Sequence, residues 1–250
     1  MLIAVLSDVH ANLTALEAAF RLMEEARVDA AYCLGDVVGY GPDPGPCVDL
    51  VRAYCAGCVR GNHDEAVAGG GAGGGTGGGG GAGDKGAAAL RGLPPDGREA
   101  ARLHRTLLTE DQLAWLGGLP LRLEAHGCLF VHASPDDPGA WHRLETFPAV
   151  RAQFDAFTQA VCFVGHSHRP AVVSDALGVF AVRPGHRFLI DVGSVGQPRD
   201  HDPRLAFGLF DTEAFRYEGV RAHYDVEETA RRVEAAGLPA GLAGRLRLGV

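Results

Sequence analysis

The sequence predicts an α/β fold in which a central parallel sheet is covered by helices. Strand-like and helix-like segments alternate up to Arg60, which is the pattern of a layered α/β domain. The second half is richer in strand-like segments and indicates a second sheet that packs face to face with the first, with helices outside. The chain of 250 residues is long enough for one large domain with a buried core.

The first half of the chain supplies three predicted strands and two predicted helices. Leu2–Leu6 is apolar throughout and predicts a buried strand, and Ala30–Leu34 predicts a second strand. Asn12 can cap the helix between them, which is expected to run to about Ala26 because apolar side chains recur there at helical spacing. The remaining elements are a loop at 39–46, which holds three prolines and three glycines, a helix at about Cys47–Tyr54 and a strand ending near Arg60.

A glycine-rich tract interrupts the pattern. Residues 69–86 contain 13 glycines in 18 positions. Such a segment loses much backbone entropy on ordering and offers no side chains to bury, so we expect a flexible surface excursion within a single domain of residues 1–250. An alternative is that so pure a tract stands for side chains that were never identified.

The second half contains most of the predicted strands. Leu103–Leu108 is expected to be helical, and Thr109 with Gln112 forms a capping box that opens a further helix through Leu116. The other predicted elements are strands at 119–124, 128–131, 160–164, 171–173, 188–192, 206–210 and 215–223, and helices at about 149–157 and 226–236.

The composition argues against a membrane protein and against stable nucleic-acid binding. The formal net charge is −8, whereas nucleic-acid binding needs clustered Lys and Arg, although bound metal ions could still attract a small anionic substrate. The sequence has no run close to the roughly 20 apolar residues of a membrane span. The apolar N-terminus lacks a basic segment and leads directly into Asp8, so it predicts a strand rather than a signal peptide, and we expect a cytoplasmic protein.

The cysteines predict no disulfide framework. Six cysteines in a chain of this length are too few for a disulfide scaffold. Cys55 and Cys58 form one C-x-x-C pair without a second such pair, so we expect buried free thiols rather than a zinc site.

Polar clusters follow five of the predicted strands. They are Asp8-Val9-His10, Gly35-Asp36, Gly61-Asn62-His63-Asp64, His132 and Gly165-His166-Ser167-His168. Ligands in layered α/β folds bind beyond the carboxyl ends of the strands, so these clusters can converge on one site. A single member has a simpler explanation, such as a helix cap for Asp8 or a turn for Asn62. Cap and turn preferences do not explain five histidines in these clusters.

The residue types in the clusters predict a metal site with nitrogen and oxygen ligands. Imidazole and carboxylate groups suit Mn, Fe, Zn and similar ions, and the clusters hold no thiolates that would select a closed structural zinc site. The spacing of Asp8 with His10, and of His166 with His168, turns both side chains of a pair to one side if the backbone is extended. Two ions about 3.5–4 Å apart need a shared ligand, and the Asp36 carboxylate is the candidate bridge.

The order of these motifs resembles that of the calcineurin-like metallophosphoesterases. The succession D-x-H, G-D, G-N-H-D, H and G-H-x-H carries the resemblance, and the flanking segments 35–42 and 193–199 are similar to the small bacterial phosphodiesterase branch. The resemblance covers residues 1 to about 230, with the glycine tract as the atypical part. It implies a four-layer sandwich of two mixed β-sheets flanked by helices.

The resemblance also implies residue roles. One of two divalent metal ions would be held by Asp8, His10, Asp36 and His168, and the other by Asp36, Asn62, His132 and His166. A hydroxide between the ions would attack phosphorus in line, and His63 would protonate the leaving oxygen. Asp64 could orient His63 or cap the following helix, and Arg199 could bind a substrate phosphate or be a surface charge.

The resulting prediction is a metal-dependent phosphodiesterase acting on a small phosphate ester or nucleotide. The alternative is a phosphomonoesterase or a nucleotide or protein phosphatase of the same fold. The phosphatases that act on diadenosine polyphosphates or phosphoproteins carry Asp-Arg-Gly after the G-D motif, where this chain has Gly39-Tyr40-Gly41, and this difference disfavours them. A non-catalytic scaffold, like the retromer subunit of this fold, is disfavoured because every ligand position and His63 are filled. The histidines outside the motifs are expected at the surface: His104, His126, His142, His186, His201 and His223.

Overall fold

Two five-stranded β-sheets pack face to face in a computed structural model that describes residues 1–69, 82–179 and 181–250. The strands are β1 (Leu2–Leu6), β2 (Ala30–Cys33), β3 (Gly57–Cys58), β4 (Arg122–Ala125), β5 (Cys128–Val131), β6 (Val161–Val164), β7 (Ala171–Ser174), β8 (Phe188–Asp191), β9 (Leu205–Asp211) and β10 (Arg216–Ala222). The helices of the described residues are α1 (Leu13–Glu25), α2 (Pro44–Tyr54), α3 (Asn62–Ala68), α4 (Ala82–Gly92), α5 (Pro95–Leu107), α6 (Glu110–Gly118), α7 (Phe147–Ala152), α8 (Val226–Ala235) and α9 (Ala240–Leu248).

Both sheets are mixed. The first has the order β10-β9-β1-β2-β3, in which β1, β2 and β3 are parallel, β9 is antiparallel to β1, and β10 is antiparallel to β9. The second has the order β4-β5-β6-β8-β7, with β5, β6 and β8 parallel and an antiparallel strand at each edge. The predicted sandwich of two mixed sheets is therefore confirmed. Within each sheet, the carboxyl ends of the parallel strands lie at the same end of the sheet.

One core lies between the two sheets, and a larger one lies between the first sheet and its helices. Alternate residues of β1 point to opposite faces, so Ile3 and Val5 meet the second sheet while Ala4 and Leu6 face the helices. Aromatic side chains of the second sheet, such as Phe163, fill the space between the sheets. This shared core fixes the two sheets against each other.

Helices cover the outer face of each sheet. Residues of α1, α2, α3 and α6 pack on the first sheet, and α7 with the following 3₁₀ turn packs on the second. A further cluster joins α5, α8 and α9 around Tyr40, which lies in the loop after β2. This cluster supports one side of the loops at the carboxyl ends of the first sheet.

Two of the predicted helix caps are confirmed. The Asn12 side chain accepts a hydrogen bond from the backbone N–H of Ala15 at the start of α1. The hydroxyl of Thr109 accepts from the backbone N–H of Gln112, whose side-chain oxygen in turn accepts from the Thr109 N–H. The local sequence therefore predicts the starts of these two helices correctly.

The structure departs from the sequence predictions at several helices. The predicted loop at 39–46 ends earlier, because α2 already begins at Pro44, where a proline is tolerated in the first turn of a helix. Helix α5 begins at Pro95, well before the predicted start at Leu103. Helix α9, at Ala240–Leu248, was not predicted; its glycines weaken the helical pattern.

The glycine tract was predicted to be a flexible excursion. Residues 70–81 lie outside the described residues. Residues 82–86 belong to helix α4, and the flexibility of the tract stays a prediction.

The cysteines and the membrane prediction can also be compared with the structure. All six cysteines are free, and five of them are buried, while Cys55 is partly exposed. In the described part of the chain, no helix combines the length and the apolar composition needed to cross a membrane.

Candidate metal centre

Loops at the carboxyl ends of β1, β2, β3, β5 and β6 meet at one place. The loop after β1 is tied to the loop after β2, because the backbone N–H of Asp8 donates to Gly35 and that of His10 donates to Asp36. Within the second sheet, the N–H of Gly165 donates to the carbonyl of His132, and across the sheets the N–H of His166 donates to Oδ2 of Asp8. The structure thus brings together all seven residues predicted to ligate metal.

One group of these side chains comprises Asp8, His10 and His168, all buried. Oδ1 of Asp8 lies 3.2 Å from Nε2 of His168 and 3.6 Å from Nε2 of His10. The two imidazole Nε2 atoms are 3.2 Å apart. Three candidate ligand atoms therefore surround a common point.

The second group comprises Asp36, His132 and His166, with Asn62 beside it. Nε2 of His132 lies 3.4 Å from Oδ2 of Asp36, 3.2 Å from Nδ1 of His166 and 3.2 Å from Oδ1 of Asn62. Oδ2 of Asp36 also lies 3.7 Å from Nε2 of His10. Asp36 thus faces both groups.

The paired ligands converge for a different reason from the predicted one. Asp8 has φ 54° and His10 has φ 48°, and His166 and His168 have φ 66° and 61°. The expectation of extended backbone at these pairs is wrong, because left-handed turns direct the side chains inward. Asp36 adopts the same region with φ 52°. Left-handed conformations are rare outside glycine and cluster at functional sites, where the surroundings hold them in place.

Backbone carbonyls orient three of the imidazoles. Nδ1 of His132 donates to the carbonyl of Leu34 at 2.9 Å, and Nδ1 of His10 donates to the carbonyl of Val38 at 3.1 Å. Nδ1 of His168 donates to the carbonyl of Gln197 in the same way. Because a carbonyl only accepts, Nδ1 carries the hydrogen and Nε2 presents a lone pair to the site, which is the arrangement of metal-bound histidines.

The donor set fits divalent ions. Oδ1 of Asp8 is buried without a hydrogen-bond partner among the described residues, which is costly for a carboxylate unless a cation satisfies it. Burial lowers the pKa of His166 to about 3 and that of His168 to about 4, so both are neutral and able to ligate. Burial would also lower the pKa of His132, but Asp36 outweighs it and raises that pKa to about 10, so a positive charge is favoured beside Asp36, either a proton on Nε2 of His132 or a metal ion that takes the place of this proton.

His63 lies beside both groups. Its backbone N–H donates to Oδ1 of Asp36 at 2.8 Å, and its ring packs against His10 and Tyr40 with centroids 4.9 and 4.5 Å apart. Its Nδ1 is buried and has no hydrogen-bond partner among the described residues. Because His63, His10 and Asp36 also form a possible ligand triplet, the geometry alone leaves His63 able to act as a ligand or as a proton carrier.

Asp64 supports the loops rather than the ring of His63. Its carboxylate accepts hydrogen bonds from the backbone N–H groups of Gly61, Asp36 and Val38, at 3.0, 2.8 and 3.2 Å. Of the two predicted roles, the cap at the start of α3 is the one that the contacts match. Asp64 also ties this helix start to the loop that carries Asp36.

Arg199 lies at the edge of the centre. Its guanidinium stacks over the Tyr40 ring, 5.5 Å from the centroid, and donates to Oε1 of Gln197 at 2.8 Å. It faces a cavity of about 990 Å³ whose lining also includes Asp36, His63 and His168. A partly buried cation in this position can pair with an anion held at the centre.

His104 was missed as a supporting residue, and its predicted surface location is wrong. It is fully buried, and its ring accepts from the N–H of Gly39 at 3.0 Å and donates from Nε2 to the carbonyl of Gly41 at 2.8 Å. It thereby holds the loop around Tyr40. A usable signal was present, since the small residues Ala100 and Ala101 precede it at helical spacing and predict a buried face.

Two further supports carried no clear sequence signal. The Ser167 hydroxyl donates to Oδ2 of Asp191 at 2.7 Å, which braces the turn between His166 and His168. The Ser194 hydroxyl donates to the carbonyl of Asp8 at 2.8 Å. Both contacts join segments that are distant in sequence.

The chain resembles phosphoesterases over most of its length. The calcineurin-like phosphoesterase superfamily domain matches residues 1–214. A metallophosphoesterase from Sphaerobacter thermophilus has a crystal structure that is 34% identical in sequence, with a TM-score of 0.82 and coverage of 100% of this chain and 99% of that one. An uncharacterized protein of Methanocaldococcus jannaschii is 33% identical over 259 residues, which cover 99% of this chain and 98% of the relative. A hypothetical protein from Pyrococcus horikoshii shares the fold, with a TM-score of 0.79 at 20% identity and coverage of 100% and 98%.

Proposed function

Because the chain belongs to the calcineurin-like phosphoesterase superfamily, we propose that it is a phosphodiesterase that uses two divalent metal ions. The observation that carries the proposal is the pair of buried His/Asp groups on either side of Asp36. One ion would be held by Asp8, His10, Asp36 and His168, and the other by Asp36, Asn62, His132 and His166. Nitrogen and oxygen ligands of this kind accept Mn, Fe, Zn and similar ions.

The position of Asp36 supports its role as the bridge. Its Oδ1 is engaged by the N–H of His63, while its Oδ2 lies 3.7 Å from Nε2 of His10 and 3.4 Å from Nε2 of His132. One oxygen thus faces one imidazole of each group. When bound, the ions would supply the Lewis acidity that activates water and stabilises the anionic transition state.

His63 is the proposed proton donor to the leaving oxygen. It lines the cavity, and because its Nδ1 is buried beside Gly39, Nε2 would be the nitrogen that contacts a bound ester. Burial holds the pKa of His63 well below its usual value. The role therefore requires that the bound anionic ester raise this pKa, since a nearby negative charge favours the imidazolium form.

Arg199 is proposed to bind the phosphate of the substrate. Its guanidinium lies on the cavity wall beside Tyr40. Burial is the main cause of the lowered pKa of His168, and the charge of Arg199 lowers this pKa further, which shows that Arg199 is close to the centre. Charge-assisted hydrogen bonds from a guanidinium to phosphate oxygens are short and directional. Arg199 would therefore orient the phosphorus toward the Asp36 side of the cavity.

The cavity favours a diester over a monoester. Its volume of about 990 Å³ lies at the upper end of the range for small-molecule sites and leaves room for an organic group on each side of the phosphorus. The alternatives remain a phosphomonoesterase and a nucleotide or protein phosphatase of the same fold. A concave site favours a small ester or nucleotide over the flat surface of a folded protein.

A substrate panel tests the proposal. After metal reconstitution, an aryl phosphodiester should be hydrolysed faster than the matching aryl phosphomonoester, and both activities should disappear in Asp36→Ala. Substitution of the exposed His142 by alanine is the matched control and should leave both rates unchanged. Faster hydrolysis of the monoester would overturn the diesterase assignment.

The role of His63 is tested by changing the leaving group. His63→Ala should lower the rate by about 10²–10⁴-fold on esters with alkoxide leaving groups, the usual contribution of a general acid. On an aryl ester the loss should be much smaller, because a phenolate leaves without a proton. Equal losses on both esters with metal content intact would indicate charge stabilisation instead, and loss of metal would make His63 a ligand.

A further inference from the structure

The cavity continues well beyond the metal centre. The loop after β5 forms one wall with Pro138 and Trp141. Leu121, which directly precedes β4, lines the cavity as well. Another part of the lining comes from the junction of α4 and α5, including Leu93 and Pro94. The part of the cavity away from the Asp36 carboxylate is therefore bounded mainly by apolar side chains.

Trp141 is the unusual residue of this wall. It has φ 58°, a left-handed conformation that is a marked outlier for a large side chain. Its ring is only partly buried, and it packs edge-on against His132 with centroids 5.9 Å apart and an angle of 71° between the rings. Such backbone strain persists where the surrounding structure enforces it, and it clusters at ligand-binding sites.

The charged side chains of the outer cavity carry both signs, since Asp137 lines it as well as Arg60, Glu65 and Arg143. Arg60 is paired with Glu65 at 2.9 Å, so this pair contributes little net charge. Arg143, two residues after Trp141, also lines the cavity, and its contact with Glu145 is longer, at 3.5 Å. An aromatic side chain and a weakly paired cation thus stand on one loop beside the metal centre.

We propose that Trp141 is a stacking surface for an aromatic ring of the substrate, so that the site selects phosphate esters that carry a ring of the nucleobase type. The inference rests on the proposed phosphodiesterase function and assigns its substrate class. A base stacked on an aromatic side chain keeps its phosphate within reach of the nearby centre, and every nucleobase offers a flat face for this contact. Arg143 would pair with a phosphate oxygen at the cavity rim.

The decisive comparison uses two esters with the same reacting group. A nucleoside cyclic phosphate and the abasic ribose cyclic phosphate differ only in the aromatic ring. The native enzyme should prefer the nucleoside ester by about 10-fold to 100-fold in kcat/KM, the usual effect of one stacked base. Trp141→Gly should abolish this preference, mainly through KM, and Trp141→Phe should keep most of it.

Glycine is chosen at position 141 because it adopts the left-handed conformation without strain, so the variant should fold. Arg27→Gly is the matched control: Arg27 is exposed, has φ 56° and precedes β2, at the end of the sheet opposite to the metal centre. Arg27→Gly should keep the native preference.

A binding measurement separates the inference from the catalytic proposal. The chain has two tryptophans, so Trp115→Phe leaves Trp141 as the reporter of fluorescence. Adenosine monophosphate should quench this fluorescence and ribose phosphate should not. Equal hydrolysis of both cyclic esters without quenching would overturn the stacking role and leave the diesterase function standing. Quenching without hydrolysis of either ester would support the stacking role and overturn the diesterase function, and the absence of both would overturn the two together.

Discussion

Acidification should destabilise the protein through His104, a residue far from the metal ligands in sequence. Burial lowers the pKa of His104 to about 4, because its ring has no contact with water, and this outweighs the hydrogen bond to the carbonyl of Gly41, which favours the charged ring. In the unfolded chain the same group has its ordinary pKa of about 6.5. Below that pH the unfolded chain binds a proton that the folded chain does not, so stability falls as the pH is lowered from about 6.5 toward about 4.

The expected size follows from the two pKa values. At about 1.4 kcal/mol per pKa unit, the full loss is about 3 kcal/mol, and about 2 kcal/mol of it should have occurred by about pH 5. Urea unfolding at about pH 7.5 and about pH 5 measures the free energy of unfolding at both values. Other buried histidines also contribute, so the informative quantity is the difference between the native protein and His104→Gln.

His104→Gln cannot take up the proton. At neutral pH it should be less stable by about 1–3 kcal/mol, because it can replace the donor to Gly41 but leaves the buried N–H of Gly39 without an acceptor. Between the two pH values it should lose about 2 kcal/mol less than the native protein does. The exposed His142→Gln variant should behave as the native protein. If His104→Gln and the native protein lose the same free energy on acidification, His104 is not the titrating group and the reasoning fails.

Three further predictions concern the metal centre. Elemental analysis after reconstitution should find close to two ions per chain, and a fully active metal-free protein would contradict the two-ion site. Asp36→Ala should stay inactive in excess metal, whereas the activity of Asp8→Ala should recover in part, because Asp36 faces both ligand groups and Asp8 faces one. Equal recovery of activity in the two variants would mean that the bridge is wrongly assigned. Asp191→Ala should weaken metal binding by about 10-fold to 100-fold in a metal titration, because the Ser167 hydroxyl loses its acceptor. Asp191→Asn keeps an acceptor and should bind metal nearly as the native protein does. Unchanged affinity in Asp191→Ala would show that this contact does not position the ligands.

The sequence predicted best where one local rule decides the structure. The apolar run at Leu2–Leu6 gave β1 with its bounds, and the side-chain caps at Asn12 and Thr109 marked the starts of α1 and α6. It predicted worst where tertiary packing overrides local preference. Helix α9 has three apolar or small residues buried against α5 and α8, which stabilise a segment whose own propensity is weak.

The same division holds within the candidate site. The ligand residues stand out in sequence because few roles other than metal binding bring Asp, Asn and His together at several strand ends. Their supports do not stand out, because contacts such as Ser194 with Asp8, or His104 with Gly39, join segments that only the fold brings together. Sequence spacing therefore identified the ligands and left the parts that orient them to be found in the structure.

The glycines within the motifs connect these two levels. A side chain on Gly61 would collide with Oδ1 of Asp36, and one on Gly165 would collide with the Ser7 hydroxyl. Each glycine directly precedes a predicted ligand, and its missing side chain lets one ligand loop approach the next at van der Waals distance. That close approach allows Asp36 to accept from the N–H of His63 while its second oxygen faces the imidazoles. The site therefore requires these glycines as well as the ligands that follow them. A side chain at Gly61 or Gly165 would separate its loop from the left-handed turn at Asp36 or Asp8, respectively.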